Sequence, residues 1–200
     1  MSSLFTASET QLAEFALAAL AGTDLDIVVG GLGLGYTAYA ALNDERVRSL
    51  HVIEALPEVI DWHQRHLLPL ADALTTDRRC QLVKADFFAT IARHAPFGPG
   101  APDMVHALIV DIDHTPRHHL HPRHADFYTP DGLRRVAARL HPAGVFALWS
   151  DDPPDSDFMA AADQVFTSCV AHVVTFPNPL IGGDATNTVY VALNRSEQSL

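Results

Sequence analysis

Three closely spaced glycines and an acidic residue beyond them are the first residues of this sequence that could do chemistry. Gly31, Gly33 and Gly35 directly follow a short apolar segment. A glycine-rich turn between a strand and a helix lets the backbone approach a ligand closely and points helix N–H groups at it. Glu54 ends the next apolar segment, where its carboxylate is placed to hydrogen-bond both hydroxyls of a ribose. These residues therefore predict a nucleoside-binding loop.

The spacing of the glycines discriminates between two classes of nucleotide. A dinucleotide fingerprint has the pattern G-x-G-x-x-G, whereas Tyr36 occupies the position of the third glycine here. The sequence also lacks the Tyr-x-x-x-Lys pattern of a hydride-transfer site. A nicotinamide-dependent oxidoreductase is therefore the weaker alternative.

Carboxylates also follow the later predicted strands. Asp86 ends the third strand, Asp111 and Asp113 follow the fourth, and Asp151 follows the fifth. Ligands of open α/β sheets bind outside the carboxyl ends of the strands, where the strand order reverses. A carboxylate in that place can hold a substrate ammonium group and accept its proton. We therefore expect these acids to line one edge of the sheet and to bind a cationic substrate.

Alternating strand and helix patterns would position these residues. The capping-box pattern of Ser8 to Gln11 predicts a helix that ends near Gly22. Further helices are predicted at 36–42, 57–74, 88–93, from 130 and at 157–169, and strands at 26–29, 50–53, 81–84, 105–110, 144–149, 170–176 and 188–193. This alternation predicts an α/β fold, with a doubly wound, mostly parallel, Rossmann-like sheet of about seven strands and a C-terminal antiparallel strand. We expect a single domain over 1–200, with an N-terminal helix in 1–24 and a core over 25–193.

The composition is acidic, with 13 Lys and Arg against 24 Asp and Glu and a formal net charge of −11. Nucleic acid and anionic membranes are disfavoured as partners, because such surfaces repel an acidic protein. No apolar stretch has the length of a membrane span, and the N-terminus does not resemble a signal peptide. The two cysteines, Cys80 and Cys169, lack metal-ligand spacing, which favours the cytoplasm. A homodimer stays open.

Five of the 12 histidines crowd one loop after the fourth predicted strand, namely His114, His118, His119, His121 and His124. No HExxH motif and no pair of cysteines accompanies them, so we predict no metal site, although metal binding by the loop stays open. The loop is interpreted as a flexible lid over the site, in which His114 contacts the substrate or shares in proton transfer.

Five stretches, in the right order, resemble the spermidine synthase-like (polyamine aminopropyltransferase-like) proteins of the class I S-adenosylmethionine-dependent methyltransferase superfamily. They are Val28–Thr37, His51–Glu54, Lys84–Phe88, Ala107–Asp113 and Asp126–Tyr128. The resemblance covers about residues 25–193. It implies that the donor is S-adenosylmethionine or decarboxylated S-adenosylmethionine, that the product is S-adenosylhomocysteine or methylthioadenosine, and that the acceptor is a small amine.

The resemblance also implies roles for individual residues. The nucleoside would lie against Gly31, Gly33 and Gly35, with its ribose on Glu54 and its adenine on Asp86 beside Phe87. Asp111 matches the family's catalytic base, and Asp113 and His114 complete the predicted catalytic set. Tyr128 and Asp151 would contact the substrate.

Three departures from the family pattern leave the reaction type open. Leu34 stands where the family's loop carries an acid that recognises the donor amine, and His114-Thr115 replaces the end of the family's D-x-x-D-P signature. A single predicted helix, and no small β-domain, precedes the first strand. Aminopropyl transfer, methyl transfer and a catalytically silent nucleoside-binding protein therefore all remain candidates.

Overall fold

Seven strands form one mixed sheet in the computed structural model of the chain, which describes residues 6–179 and 182–196. The strands are β1 (Leu25–Gly30), β2 (Val47–Glu54), β3 (Cys80–Lys84), β4 (Val105–Val110), β5 (Leu140–Ser150), β6 (Ser168–Asn178) and β7 (Gly183–Leu193). Their spatial order is β3-β2-β1-β4-β5-β7-β6. Strands β1 to β5 pair in parallel, whereas β7 runs antiparallel to both β5 and β6. The predicted fold class is confirmed.

The strand order reverses between β1 and β4. From β1 the chain moves outward through β2 to β3, and it then returns to pair β4 with the other side of β1. The loops after β1 and β4 therefore leave the sheet in opposite directions and open a crevice between them. The buried apolar runs of these two central strands explain why they form the middle of the sheet.

Seven helices are present among the described residues, namely α1 (Ala7–Ala18), α2 (Tyr36–Leu42), α3 (Pro57–Gln64), α4 (Ala71–Thr76), α5 (Phe87–Ala92), α6 (Pro130–Ala137) and α7 (Ser156–Asp163). A 3-10 helix spans Pro122–Tyr128. None of the helices in the described part of the chain is long and apolar enough to cross a membrane. One hydrophobic cluster lies between the sheet and α1 and α2, and a second lies on the other face, beneath α5, α6 and α7.

The prediction of one long helix over 57–74 is wrong, because two helices, α3 and α4, occupy this region. Pro69 lies between them, and an interior proline removes a helix N–H and clashes with the preceding turn. His66 adopts a left-handed backbone conformation with a φ of 55°, which also breaks the helix.

The predicted capping box at the N-terminus is also wrong. Helix α1 begins at Ala7, and Thr6 at its N-cap makes no side-chain capping hydrogen bond. Ser8 lies inside the helix and is 2% exposed. Its hydroxyl contacts a distant strand instead of capping the helix, as described below.

Candidate active site

A cavity of about 500 Å³ opens at the carboxyl ends of β1 and β4, at the reversal of strand order. Its lining comes from the loop after β1, the end of β4, the start of α1 and the C-terminal strands, and comprises Ser8, Glu9, Leu32, Gly33, Leu34, Gly35, Tyr36, Asp111, Ile112, His114, Leu120, Trp149, Asp151, Phe176, Asn178, Ala185, Thr186 and Asn187. Five of the predicted site residues are thus brought together around one space, namely Gly33, Gly35, Asp111, His114 and Asp151.

The three glycines of the loop after β1 have positive φ angles, but they meet different neighbours. Gly33 and Gly35 line the cavity. Gly31 packs against the end of β4, where a Cβ atom would lie 2.2 Å from the carbonyl oxygen of Asp111. The glycine at 31 is therefore required to pack two strand ends together, and it does not line the cavity.

Glu54 at the end of β2 accepts hydrogen bonds from two backbone N–H groups, one in the loop after β1 and one just after β2. Its Oε2 accepts from the Leu32 N–H at 3.0 Å, and its Oε1 accepts from the Leu56 N–H at 2.8 Å. The side chain is partly exposed and lies outside the cavity lining. Because each carboxylate oxygen has two lone pairs, each can still accept a hydroxyl.

A buried histidine beneath the glycine loop escaped the sequence analysis, which gave no signal for it beyond its position on a helix. His63 of α3 is 0% exposed, and its Nε2 lies 3.1 Å from the Gly33 carbonyl oxygen, to which it donates. Burial lowers the pKa of His63, so the ring is neutral and carries its proton on Nε2 near pH 7. Its Nδ1 has no hydrogen-bond partner within the described part of the chain.

Asp86 and Phe87 lie outside the cavity lining. Asp86 is the N-cap of α5, where its Oδ1 accepts from the Ala89 N–H at 3.0 Å, and its Oδ2 lies 3.3 Å from Arg123. Phe87 is 2% exposed and packs against Gly30, where a Cβ atom would lie 2.8 Å from the ring. The ring belongs to the core below β1, so this packing gives no support to its predicted contact with the nucleoside.

Asp111 follows β4 and faces the cavity. The Thr37 hydroxyl of α2 donates to its Oδ2 at 2.9 Å. Burial raises the pKa of Asp111 from 3.8 to about 6, and the negative charge of Glu9 adds to this effect. The carboxylate is therefore a stronger base than an exposed aspartate, and it remains mainly ionised at pH 7.

Asp113, two residues further, lies in a different environment from Asp111. It is 2% exposed and lies outside the cavity lining. Its carboxylate accepts hydrogen bonds from the Leu120 N–H at 2.7 Å, from His124 Nδ1 at 2.9 Å and from the Tyr128 hydroxyl at 2.9 Å. Tyr128 is correspondingly buried at 7% exposure. Both residues hold the loop and lie outside the cavity lining, so this geometry gives no support to the catalytic role predicted for Asp113 or to the substrate contact predicted for Tyr128.

The histidine-rich loop is anchored at several points, and its role as a flexible lid stays a prediction. One anchor is the set of hydrogen bonds to Asp113. A second is Arg117, which contacts Asp155 at 2.5 Å and Asp157 at 2.7 Å at the start of α7. His114 and Leu120 are the residues of this loop that reach the cavity. The His114 carbonyl oxygen accepts from the Asp151 N–H at 2.7 Å, which brings two predicted site residues together.

No group of three or more His, Cys, Asp or Glu side chains that could hold a metal ion occurs in the described ranges 6–179 and 182–196.

A polar network links α1 to the C-terminal strands beside the cavity. The Trp149 Nε1–H donates to the Ser8 hydroxyl at 3.0 Å, and this hydroxyl lies 2.9 Å from Asn187 Oδ1. The Asn187 Nδ2 donates to Asp151 Oδ1 at 2.8 Å. Sequence reasoning missed Ser8 and Asn187 because they are 179 positions apart. Thr37 was missed as well.

The lining is strongly asymmetric in charge. Glu9, Asp111 and Asp151 face the cavity, whereas its lining contains no Lys or Arg. Apolar and aromatic side chains such as Leu34, Tyr36 and Trp149 make up much of the remainder. This combination suits an organic cation with an apolar body, and Asp111 can accept a proton from it.

The sheet order and the position of the cavity define a fold of the class I S-adenosylmethionine-dependent methyltransferase type. Spermidine synthase from Thermotoga maritima has a TM-score of 0.70 and 16% identity, over 94% of this chain and 60% of that one. Human methyltransferase-like protein 13, in complex with SAH, has a TM-score of 0.70 and 19% identity, over 96% of this chain and 85% of that one. A spermidine synthase in complex with the transition-state analogue AdoDATO has a TM-score of 0.67 and 16% identity, over 93% and 59% of the two chains.

These likenesses show the fold. The chain spans about 60% of the length of the spermidine synthases that it matches. No protein-family model and no curated protein matches the sequence.

Proposed function

We propose that this protein is a transferase that takes an alkyl group from an adenosyl-sulfur donor and transfers it to a small amine, with Asp111 as the base. The observation that carries the proposal is the position of Asp111. Its carboxylate lies on an acidic cavity next to the glycine loop, at the reversal of strand order, and has a pKa raised to about 6.

The residues around the loop suit a nucleoside. Glu54 is already fixed by two backbone N–H groups and retains lone pairs for the two ribose hydroxyls. Gly33 and Gly35 offer backbone without side chains on the cavity, and Asp86 remains the candidate for the adenine amino group. SAH and AdoDATO, bound by two of the similar proteins, support a ligand of this class. When bound, such a donor supplies an electrophilic carbon next to a sulfonium leaving group.

Asp111 would bind the acceptor amine and remove its proton. An ammonium group has no free lone pair, so it must lose a proton before it can attack a carbon. A carboxylate with a pKa of about 6 is better matched to this proton transfer than one at the ordinary value, because base strength rises with pKa. The Thr37 hydroxyl bonds one carboxylate oxygen and leaves the other for the amine.

Aminopropyl transfer is the proposed reaction, and methyl transfer is the alternative. Glu9, Asp111 and Asp151 face the cavity without a basic residue in its lining. They would repel the carboxylate of S-adenosylmethionine and attract the lone ammonium of its decarboxylated form. Leu34 supports the alternative, because it puts an apolar side chain on the cavity where an acid would recognise a donor amine.

Calorimetry at saturating protein tests the proposal with methylthioadenosine, S-adenosylhomocysteine and S-adenosylmethionine. We expect methylthioadenosine, which carries no amino-acid tail, to bind more tightly than S-adenosylhomocysteine. The reverse order would favour methyl transfer. Failure of every adenosyl-sulfur nucleoside to bind refutes the proposal.

A turnover assay with decarboxylated S-adenosylmethionine and an amine panel then tests the base. We expect Asp111→Asn to bind nucleosides normally and to lose at least a hundredfold in kcat, a typical contribution of a general base. Unchanged turnover would show that the base is another group. Binding without any turnover by the wild type would favour a catalytically silent nucleoside-binding protein.

A further inference from the structure

A threonine hydroxyl joins the helix after the glycine loop to the proposed base. Helix α2 begins directly after Gly35, its N-cap, and Thr37 is the second residue of the helix. Thr37 is 4% exposed, and its hydroxyl donates to Asp111 Oδ2 at 2.9 Å, although the two residues are 74 positions apart. The Thr75 hydroxyl of α4, by contrast, donates to the Ala71 carbonyl oxygen of its own helix, which is the usual local bond of a helical threonine. The Thr37 hydroxyl therefore makes a tertiary contact.

The backbone of Asp111 is held by the end of β1. Its N–H donates to the Gly30 carbonyl oxygen at 2.9 Å, and its own carbonyl oxygen would lie 2.2 Å from a Cβ atom added to Gly31. These contacts fix the main chain, whereas the torsion of a carboxyl group has a broad energy minimum. Within residues 6–179 and 182–196, the Thr37 hydroxyl is the one hydrogen-bond donor to this carboxyl group. It therefore selects the orientation of the two oxygens.

The same hydroxyl stabilises the ionised form of the carboxyl group. Burial, and to a lesser extent the charge of Glu9, raises the pKa of Asp111 to about 6, whereas the hydrogen bond from Thr37 opposes this rise. A neighbouring arginine would lower the pKa of a carboxyl group by about 1–3 units and leave a weaker base. A neutral donor can thus orient the carboxylate without removing its basicity.

We propose that Thr37 is a positioning residue for the base, whose hydroxyl holds Asp111 Oδ2 so that Oδ1 receives the proton of the acceptor amine. This inference rests on the proposed function. In the proton transfer, an N–H bond of the ammonium group breaks, an O–H bond forms on Oδ1, and the nitrogen keeps the electron pair. Because Thr37 directly follows the glycine loop, the segment proposed to bind the donor also orients the base.

The test compares variants that lose the hydroxyl with one that keeps it. Thr37→Val removes the hydroxyl and keeps a branched side chain of nearly the same size, and Thr37→Ser keeps the hydroxyl. Thr37→Ala removes the hydroxyl without adding a methyl group, so it gives a second measure if valine disturbs the packing. Thr75→Val is the matched control, since Thr75 is half-buried on a neighbouring helix and its hydroxyl bonds a backbone carbonyl.

The first readout requires neither donor nor acceptor. In NMR titration, the pKa of Asp111 should rise by about 0.5–1 unit in Thr37→Val and in Thr37→Ala, because a hydrogen bond to the ionised form is lost. Thr37→Ser and Thr75→Val should match the wild type. The other titratable side chains on the cavity are unchanged in all four variants, and they are Glu9 of α1, Tyr36 of α2, His114 after β4 and Asp151 after β5. An unchanged pKa in both variants without the hydroxyl overturns the inference.

The second readout separates orientation from titration. Turnover is measured with decarboxylated S-adenosylmethionine and the amine panel at about pH 8.5, where Asp111 is mainly ionised in every variant. We expect kcat of Thr37→Val to fall about tenfold, because a misplaced base transfers the proton poorly, and the affinity for methylthioadenosine in calorimetry to stay unchanged. The acid limb of the kcat profile should also move to higher pH, and Thr37→Ser should restore most of kcat.

Two results would overturn the positioning role. One is a kcat of Thr37→Val equal to that of the wild type at the higher pH. The other is a parallel loss of kcat and of methylthioadenosine affinity that Thr37→Ser does not restore, as a purely structural role predicts. A wild type that binds no adenosyl-sulfur nucleoside refutes the proposed function, and the inference with it, whereas an unchanged pKa of Asp111 refutes the inference alone. The two failures are therefore distinguishable.

Discussion

Replacement of Asp111 by asparagine should stabilise the protein at neutral pH while it removes the proposed base. Asparagine has nearly the same shape, and its side-chain oxygen can still accept from the Thr37 hydroxyl. What changes is the ionised carboxylate, which burial disfavours in the folded state. A group that serves a reaction at the expense of stability is common in active sites.

The size of the effect follows from the pKa of the carboxyl group, which is 3.8 in its ordinary state and about 6 in the folded protein. The difference of about 2.2 units corresponds to about 3 kcal/mol at roughly 1.36 kcal/mol per unit. Below pH 3.8 both folded and unfolded states are protonated, and the carboxyl group costs nothing. As the pH rises, the unfolded state ionises first, so the folded state loses relative stability up to about pH 6 and then levels off.

The assay is urea unfolding of the wild type and Asp111→Asn from pH 5 to pH 8. The gain in the free energy of unfolding should be about 1.5 kcal/mol at pH 5 and about 3 kcal/mol at pH 8. The lowered pKa of other groups, such as His63, affects both proteins equally and cancels in the difference.

Asp113→Asn is the matched comparison, since it changes the same atoms two residues away. Its carboxylate accepts from three donors, Leu120 N–H, His124 and the Tyr128 hydroxyl, and an amide must turn its NH₂ group towards one of them. This variant should therefore lose about 1–3 kcal/mol. A pH-independent difference for Asp111→Asn, or a loss of stability as large as that of Asp113→Asn, would refute the assignment of Asp111 as the destabilised carboxylate.

Three further predictions concern the glycine loop. Gly31→Ala should destabilise the protein by about 1–3 kcal/mol more than Gly22→Ala. Both glycines have positive φ, but only Gly31 has a backbone oxygen 2.2 Å from the added Cβ. Equal losses of stability in urea unfolding would contradict this. Glu54→Gln should lower the free energy of unfolding by about 1–3 kcal/mol and weaken methylthioadenosine binding, since the NH₂ group of an amide cannot accept from a backbone N–H. An unchanged methylthioadenosine affinity in calorimetry would contradict this. His63→Ala should weaken nucleoside binding by freeing a loop carbonyl from its donor, whereas His66→Asn on the exposed turn should not; equal affinities would argue against a positioning role for His63.

Sequence patterns predicted the sheet well because its central strands are buried on both faces. The predicted bounds of α2 and β4 agree with the structure, and each of the other strands lies where a β-rich apolar run was recognised. Helices were predicted less accurately where two local signals competed. The apolar spacing over 57–74 favoured one helix, but Pro69 overrides such spacing, and Ser8 fits a capping box yet is used in a tertiary contact.

Site residues could be predicted from the sequence only where their position follows from the end of a strand. Asp111 could be placed at the sheet edge from its position after an apolar run, and it does line the cavity. Which way each loop side chain turns depends on contacts that the sequence does not display. Asp113 was indistinguishable from Asp111 by pattern, and only its buried contacts to His124 and Tyr128 separate the two.

The acids near the carboxyl ends of the strands form two groups that differ in the number of hydrogen bonds they accept. Those of the first group are each held by two or more donors from the backbone or from basic and hydroxyl side chains, and they are Glu54, Asp86 and Asp113. The carboxylates of the second group face the cavity and have at most one described side-chain donor each, namely Glu9, Asp111 and Asp151. The donor near Glu9 is the Ser8 hydroxyl, whose single proton can go to Glu9 or to Asn187. A carboxylate whose lone pairs are mostly unused is costly to bury. Glu9 and Asp111 are partly buried and Asp151 is exposed, so the cavity gains affinity for a cation that can pair with the first two. A bound diamine should therefore stabilise the folded protein more strongly at pH 8 than at pH 5. At pH 5 the Asp111 carboxyl group, with its pKa of about 6, is mostly protonated, and the cavity carries less negative charge. Thermal unfolding with and without 1,4-diaminobutane at the two pH values measures this difference, and a shift in Tm that is independent of pH would assign the cation to another surface.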